Sequence, residues 1–194
     1  MSKLRQFLWL TILAILVGAT ACESRETELP FETIEQGDWA GYGDLESDSI
    51  PQTRLVLVTS RDGTAQLEGM VSPEAMDQLA RLDFGRYFAI ALFRGYLASS
   101  GYDTIIERVV RQGDEVVVHA QFWEPSPYYT VTDEVTSPYH VIKVRRDDGV
   151  IQETELVLQS RAVTPTPPFY RHSDNVFDTM QLQGPPRENR HTGP

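Results

Sequence analysis

Glu115-Val116-Val117-Val118-His119-Ala120-Gln121-Phe122-Trp123 alternates with a period of two. In an extended chain Val116, Val118, Ala120 and Phe122 fall on one face, and Val117, His119, Gln121 and Trp123 on the other. That is the pattern of a strand with one face against a core. Just before it, Arg111-Gln112-Gly113-Asp114 reads as a hairpin turn, with Gly supplying the positive φ. The turn leads back to a strand over Tyr102 to Arg111, rich in Thr, Ile and Val. Further upstream, Tyr87-Phe88-Ala89-Ile90-Ala91-Leu92-Phe93 is a continuous apolar run, short and aromatic, as expected of a central strand. Leu55 to Val58 is a smaller buried strand, followed by a turn at Arg61-Asp62-Gly63. Downstream, His140 to Arg146 places Ile142 and Val144 inward, with Lys143 and Arg145 outward. Asp147-Asp148-Gly149 is expected to turn it back onto Glu155 to Gln159, where Leu156 and Leu158 point inward.

Ser72-Pro73 starts a helix, because Ser caps free amides and Pro suits the first turn. Met76, Leu79, Ala80 and Asp83 follow at helical spacing, which predicts a short amphipathic helix ending near Phe84-Gly85. Six strands and one short helix over 51–161 predict an α+β domain on a largely antiparallel β-sheet.

The 194-residue chain has room for one such domain plus extensions. Seventeen Lys and Arg against 28 Asp and Glu give a net charge of −11, which argues against a nucleic-acid partner. A single cysteine excludes an internal disulfide framework and any multi-cysteine metal site. The chain has no phosphate-binding glycine loop, nucleophile elbow or H-E-x-x-H pair. Asp133-Glu134 and Asp147-Asp148 lie in expected turns without the spacing of a calcium loop. No catalytic residue, metal site or cofactor is assigned, and a non-enzymatic protein is expected.

At the N-terminus, Lys3 and Arg5 precede an apolar run from Phe7 to Val17, then Gly18-Ala19-Thr20-Ala21 and Cys22. The 15 residues from Phe7 to Ala21 fall short of the roughly 20 needed to cross a bilayer, so 1–21 reads as a signal peptide. Ala19-Thr20-Ala21-Cys22 resembles a bacterial lipobox, with Ala19 where Leu is usual. The lone cysteine falls where lipidation would use it, so Cys22 is the expected lipid attachment site. Plain cleavage after Ala21 and an uncleaved anchor are the other two readings. Lipidation makes the chain an extracytoplasmic protein held by acyl chains on a bacterial membrane, at the cell surface or periplasmic face.

From Glu23 to Ile50 there are nine acidic residues against Arg25 alone, with sparse, aperiodic apolar residues. Residues 22–50 are therefore expected to be a solvated tether. Trp39-Ala40-Gly41-Tyr42-Gly43 is expected to dock on the domain as a loop. The tail, 162–194, is Pro-rich and expected to be partly disordered, with Phe169, Tyr170, Phe177 and Leu182 available to dock.

His140 shares the inward parity of Ile142 and Val144, so a buried neutral histidine bonded to backbone is expected. It belongs to a longer constellation: Gly101-Tyr102, Val116-Val117-Val118, Pro125-Ser126-Pro127 and Pro138-Tyr139-His140. Pro138 suits a strand entrance, and Tyr139 can bury its ring while its hydroxyl stays wet. In order and spacing this constellation resembles the C-terminal domain of the PrcB-like family, over about Tyr87 to Arg146. That family takes its name from a lipoprotein subunit of a bacterial surface protease complex. The resemblance implies a non-enzymatic accessory role: binding or stabilising a partner protein, with a protease as one candidate. Tyr128 and Tyr129, side by side in the 125–137 loop, are candidate interaction residues in the segment expected to differ between relatives with different partners; the other reading is a long hairpin loop packing its own aromatics. A second reading is a small-ligand or glycan carrier in which Trp123, Tyr128, Tyr129 and Tyr139 line an aromatic groove. A third is a hydrolase using His140 or His119 with a serine and a carboxylate.

Overall fold

The computed structural model describes residues 26–41, 52–146 and 155–165, together with the backbone of 178–182. Cys22, the signal sequence, Tyr42, Gly43, the Asp147-Asp148-Gly149 turn, Phe169, Tyr170 and Phe177 lie outside the described residues. Within them the chain forms β1 (Glu26–Glu28), β2 (Phe31–Gly37), β3 (Arg54–Val58), a 3-10 turn (Asp62–Leu67), α1 (Pro73–Ala80), β4 (Tyr87–Phe93), β5 (Asp103–Gln112), β6 (Glu115–Trp123), β7 (Tyr139–Arg145), β8 (Glu155–Val163) and β9 (Asp178–Leu182).

The strands make two sheets. One runs β1-β5-β6-β8-β9 and the other β2-β7-β4-β3. Their facing sides share a core in which Phe88, Ile90, Leu92, Ile142 and Val144 meet Ile106, Val109, Val116, Val118, Leu156 and Leu158. The parity read along Glu115–Trp123 is the one observed: Val116, Val118 and Ala120 lie in this core, and Phe122 packs against it. The outer face of the second sheet buries Val56, Val58, Ala89, Ala91 and Val141 beneath Leu67, Met70 and Leu79. β4 is thus covered on both sides, which accounts for its unbroken apolar run. Each large core side chain contributes about 1.5–3 kcal/mol by leaving water.

The α+β reading with one short α-helix holds, and five details differ from expectation. First, the strands divide between two sheets, and β4–β5 and β6–β7 both cross from one to the other. Second, β8 does not return onto β7; it lies parallel to β6, from Glu115 opposite Glu155 to Trp123 opposite Val163. Alternation fixes which side chains point inward but carries no label for the neighbouring strand.

Third, α1 ends at Ala80 rather than near Phe84. The Asp83 carboxylate accepts the Gly85 amide at 3.0 Å, an Asx turn that competes with another helical turn. The start is as expected: the Ser72 hydroxyl accepts the Ala75 amide at 3.0 Å.

Fourth, the stretch read as a tether supplies β1 and β2. β2 pairs with β7, from Phe31 opposite Val144 to Gly37 opposite Tyr139, with a bulge between Thr33 and Glu35. Phe31 and Ile34, three residues apart, pack on opposite cores as alternation requires, and the bulge sends Thr33 inward to His140 and Glu35 outward to Tyr139 although they are two residues apart. Fifth, β8 continues to Val163 and β9 pairs with it, so the expected tail contributes to the first sheet.

Candidate functional site

At one end of the sandwich, β2 and β4 finish at Gly37 and Phe93, both opposite Tyr139 at the start of β7. In the facing sheet, the start of β5 and the end of β6 meet as Asp103 opposite Trp123. Three segments cap this end: 38–41, 94–102 and 124–138. They are laced together by backbone bonds. Ser137 donates to the Asp38 carbonyl at 2.7 Å, and Ala40 donates to the Ser137 carbonyl at 2.8 Å. Leu97 and Thr136 exchange two bonds of 2.8 and 2.9 Å, and the Ser100 amide donates to the Thr132 carbonyl at 3.0 Å. The Thr132 amide returns a bond to the Ser100 hydroxyl at 2.9 Å.

Arg94 ties the two sheets together beneath these loops. Its side chain is only 8% exposed and pairs with Glu124. It donates to the carbonyls of Trp123 at 2.6 Å and Asp103 at 3.4 Å. Its guanidinium lies 5.0 Å from the Tyr102 ring centre and 4.9 Å from that of Phe122. The sequence reading missed Arg94, although a lone charge closing a seven-residue apolar strand was the available signal.

Gly101 and Tyr102 therefore belong to the same cluster as Trp123. Gly101 has φ +89°, and a Cβ there would lie 3.1 Å from Pro125, so only glycine lets the two loops close. Tyr128 and Tyr129, in contrast, stand out from the protein at 66% and 68% exposure. Trp39 stacks on Tyr96 with ring centres 5.9 Å apart, and these are 55% and 38% exposed. Residues 38–41 thus dock as expected, with Ala40 buried, but the Trp39 ring faces solvent.

Pro138, Tyr139 and His140 divide between the two cores. Pro138 is buried at the strand entrance, where its carbonyl accepts the Arg94 amide at 2.9 Å. Tyr139 points outward from the second sheet, its ring stacked on Phe93 at 5.9 Å. Its hydroxyl is not wet: it bonds the Glu35 carboxylate, and burial followed by that carboxylate pushes its pKa up. Glu35 also accepts the Ser72 amide at 3.2 Å, so one carboxylate joins β2, β7 and the start of α1. His140 points the other way and is 2% exposed. Its Nδ1 accepts the Ile106 amide at 2.9 Å, which places the ring proton on Nε2, donated to the Thr33 hydroxyl at 2.8 Å. Burial lowers its pKa to about 4, against a smaller opposing effect of Asp103. Both ring nitrogens are occupied, as the structural reading of this histidine requires. His119 is half-buried on the outer face of the first sheet, 3.3 Å from Arg108, and burial and that guanidinium lower its pKa.

The four aromatic residues expected to line a groove are not brought together. Tyr139 is buried against Phe93, Trp123 is half-buried at the end of β6, and only Tyr128 and Tyr129 are open. A cleft of about 470 Å³ lies at the opposite end, between Thr59, Arg61, Arg81 and Phe84, and contains none of the candidate residues. Among the described residues, no group of His, Cys, Asp and Glu is arranged to hold a metal ion. No helix there is long and apolar enough to cross a membrane.

Residues 88–145 match the family model described as PrcB C-terminal. The match runs from β4 through β7 and includes Arg94, the 124–138 loop and Pro138-Tyr139-His140. The PrcB-like resemblance holds over this segment. No curated protein and no solved structure matches the chain.

Proposed function

We propose that this chain, PrcB-like over residues 88–145, is a membrane-anchored extracytoplasmic lipoprotein that binds a partner protein through its loop-capped end. It is a non-enzymatic accessory, and the family likeness makes a surface protease complex the first partner to test.

One observation carries this reading. Among the described residues, the exposed large hydrophobic ones are Trp39, Tyr96, Tyr128, Tyr129 and Val135, and all five belong to the three interlaced loops. Single exposed hydrophobic residues are ordinary, whereas a concentration of them marks an interaction surface. Tyr and Trp are also the residues enriched where proteins meet. The backbone bonds among the loops hold these rings in place before binding, which reduces the ordering cost of association.

Photo-crosslinking in intact cells tests the proposal. A benzophenone side chain replacing Tyr129 is expected to give a discrete protein adduct, whereas the same group at Glu74 on α1 gives none. Absence of an adduct at 129, or equal adducts at both positions, overturns the reading.

A further inference from the structure

We infer that the segment received at this end is cationic: a Lys- or Arg-bearing stretch of the partner protein. The inference rests on the interaction-surface reading above and adds the chemistry of the occupant. The exposed Trp39–Tyr96 stack is flanked by Asp38, and the loop hydrogen-bonded to Ser100 and Leu97 carries Asp133 and Glu134. All three carboxylate residues are exposed, and among the described residues none forms an ion pair. The three loops contain one cationic side chain, Arg94, and it is withdrawn between two rings and paired with Glu124. The three loops therefore present to solvent the two features that attract a guanidinium or ammonium group: π-faces and carboxylates that form no ion pair among the described residues.

The same charge distribution disfavours the other occupants. A second copy of the chain would bring the same acidic face and a net charge of −11. Nucleic acid and anionic lipid would be repelled. The Arg94 cluster beneath the loops already shows a guanidinium held between aromatic rings and a carboxylate in this fold.

The test uses the full chain in zwitterionic detergent micelles and a fluorescent peptide of alternating Arg and Ser, followed by anisotropy. An Arg-to-Glu version of the peptide is the control. The Arg peptide is expected to bind, the Glu peptide not, and the binding to weaken as salt rises. Asp133→Asn with Glu134→Gln is expected to weaken it about three- to tenfold, since each exposed charge pair is modest. Trp39→Ala is expected to weaken it to a similar degree. Glu74→Gln with Asp77→Asn, which removes the same charge from α1, leaves affinity unchanged. Equal weakening by both double variants would mean diffuse attraction to an acidic protein and overturns the inference. The Tyr129 adduct separates the two claims. If it forms but its yield is insensitive to Asp133→Asn/Glu134→Gln and to competing Arg peptide, the cationic occupant is rejected and the interaction surface stands. If no adduct forms, the surface itself is rejected.

Discussion

The His140 ring on β7 accepts the backbone amide of Ile106, on β5 of the facing sheet, at 2.9 Å. Ile106 borders the bulge in β5, and Thr33, which receives the other ring nitrogen's proton, borders the bulge in β2. One buried side chain thus joins both sheets where each ladder is irregular. This assigns His140 to the fold.

Folding stability should therefore depend on the charge of His140. Its pKa falls from 6.5 in the unfolded chain to about 4 in the folded one. Between those values the unfolded chain binds more protons, so stability rises with pH through this window and is full above it. The loss on acidification to pH 4 is on the order of 3 kcal/mol. His140→Asn retains an acceptor for the Ile106 amide and removes the titration. Denaturant unfolding from pH 4 to 7 should show the wild type losing stability relative to this variant as pH falls; parallel curves would contradict the assignment.

Arg94 should be among the most sensitive positions in the domain. Arg94→Ala leaves Glu124 without its partner and the Trp123 carbonyl without its donor, a loss of about 3–5 kcal/mol. Arg94→Lys should recover only part of this, because an ammonium group cannot reproduce the planar fork between Tyr102 and Phe122. Thermal melts of the two variants decide the point, and a wild-type melting temperature for Arg94→Ala would refute it.

Gly37→Ala should destabilise the outer core. A Cβ at Gly37 would lie 2.8 Å from the Tyr139 ring, forcing the ring from Phe93 and Glu35. Overpacking of this kind costs about 1–3 kcal/mol. Tyr139→Leu in the same chain should relieve the clash, so the double variant loses less than the sum of the two single losses, as unfolding midpoints would show.

Much of this was readable in the sequence. The parity of Val116, Val118, Ala120 and Phe122 and the inward placement of His140 follow from alternation alone, and both are observed. β2 escaped notice because it offers only Phe31 and Ile34 as apolar residues, too few to establish a period, and because its acidic residues suggested solvent although Glu32 pairs with Lys143 and Glu35 with Tyr139. The parallel pairing of β8 with β6 depends on packing between distant segments, which no local pattern encodes. Tyr128 and Tyr129 stand out from their loop in the sequence, but the stack of Trp39 on Tyr96 depends on the 124–138 segment bridging to both of their loops.

The proposed membrane anchor is tested at Cys22. Cys22→Ser should accumulate as an unprocessed or mislocalised precursor, because the chain has no other thiol to receive a lipid. Normal processing of the Ser variant, with wild-type protein released in soluble form, would reject lipidation.

In the proposed division of labour, binding resides in the exposed rings and stability in the buried motif. This division is tested most directly by the affinity of Tyr128→Ser/Tyr129→Ser for the protein crosslinked at position 129, measured beside its melting temperature. Both side chains are exposed, so melting should match the wild type. Affinity should fall at least about tenfold, the effect of losing an aromatic anchor. Unchanged affinity with unchanged melting, or a loss of binding that only follows unfolding, would place binding elsewhere on the molecule.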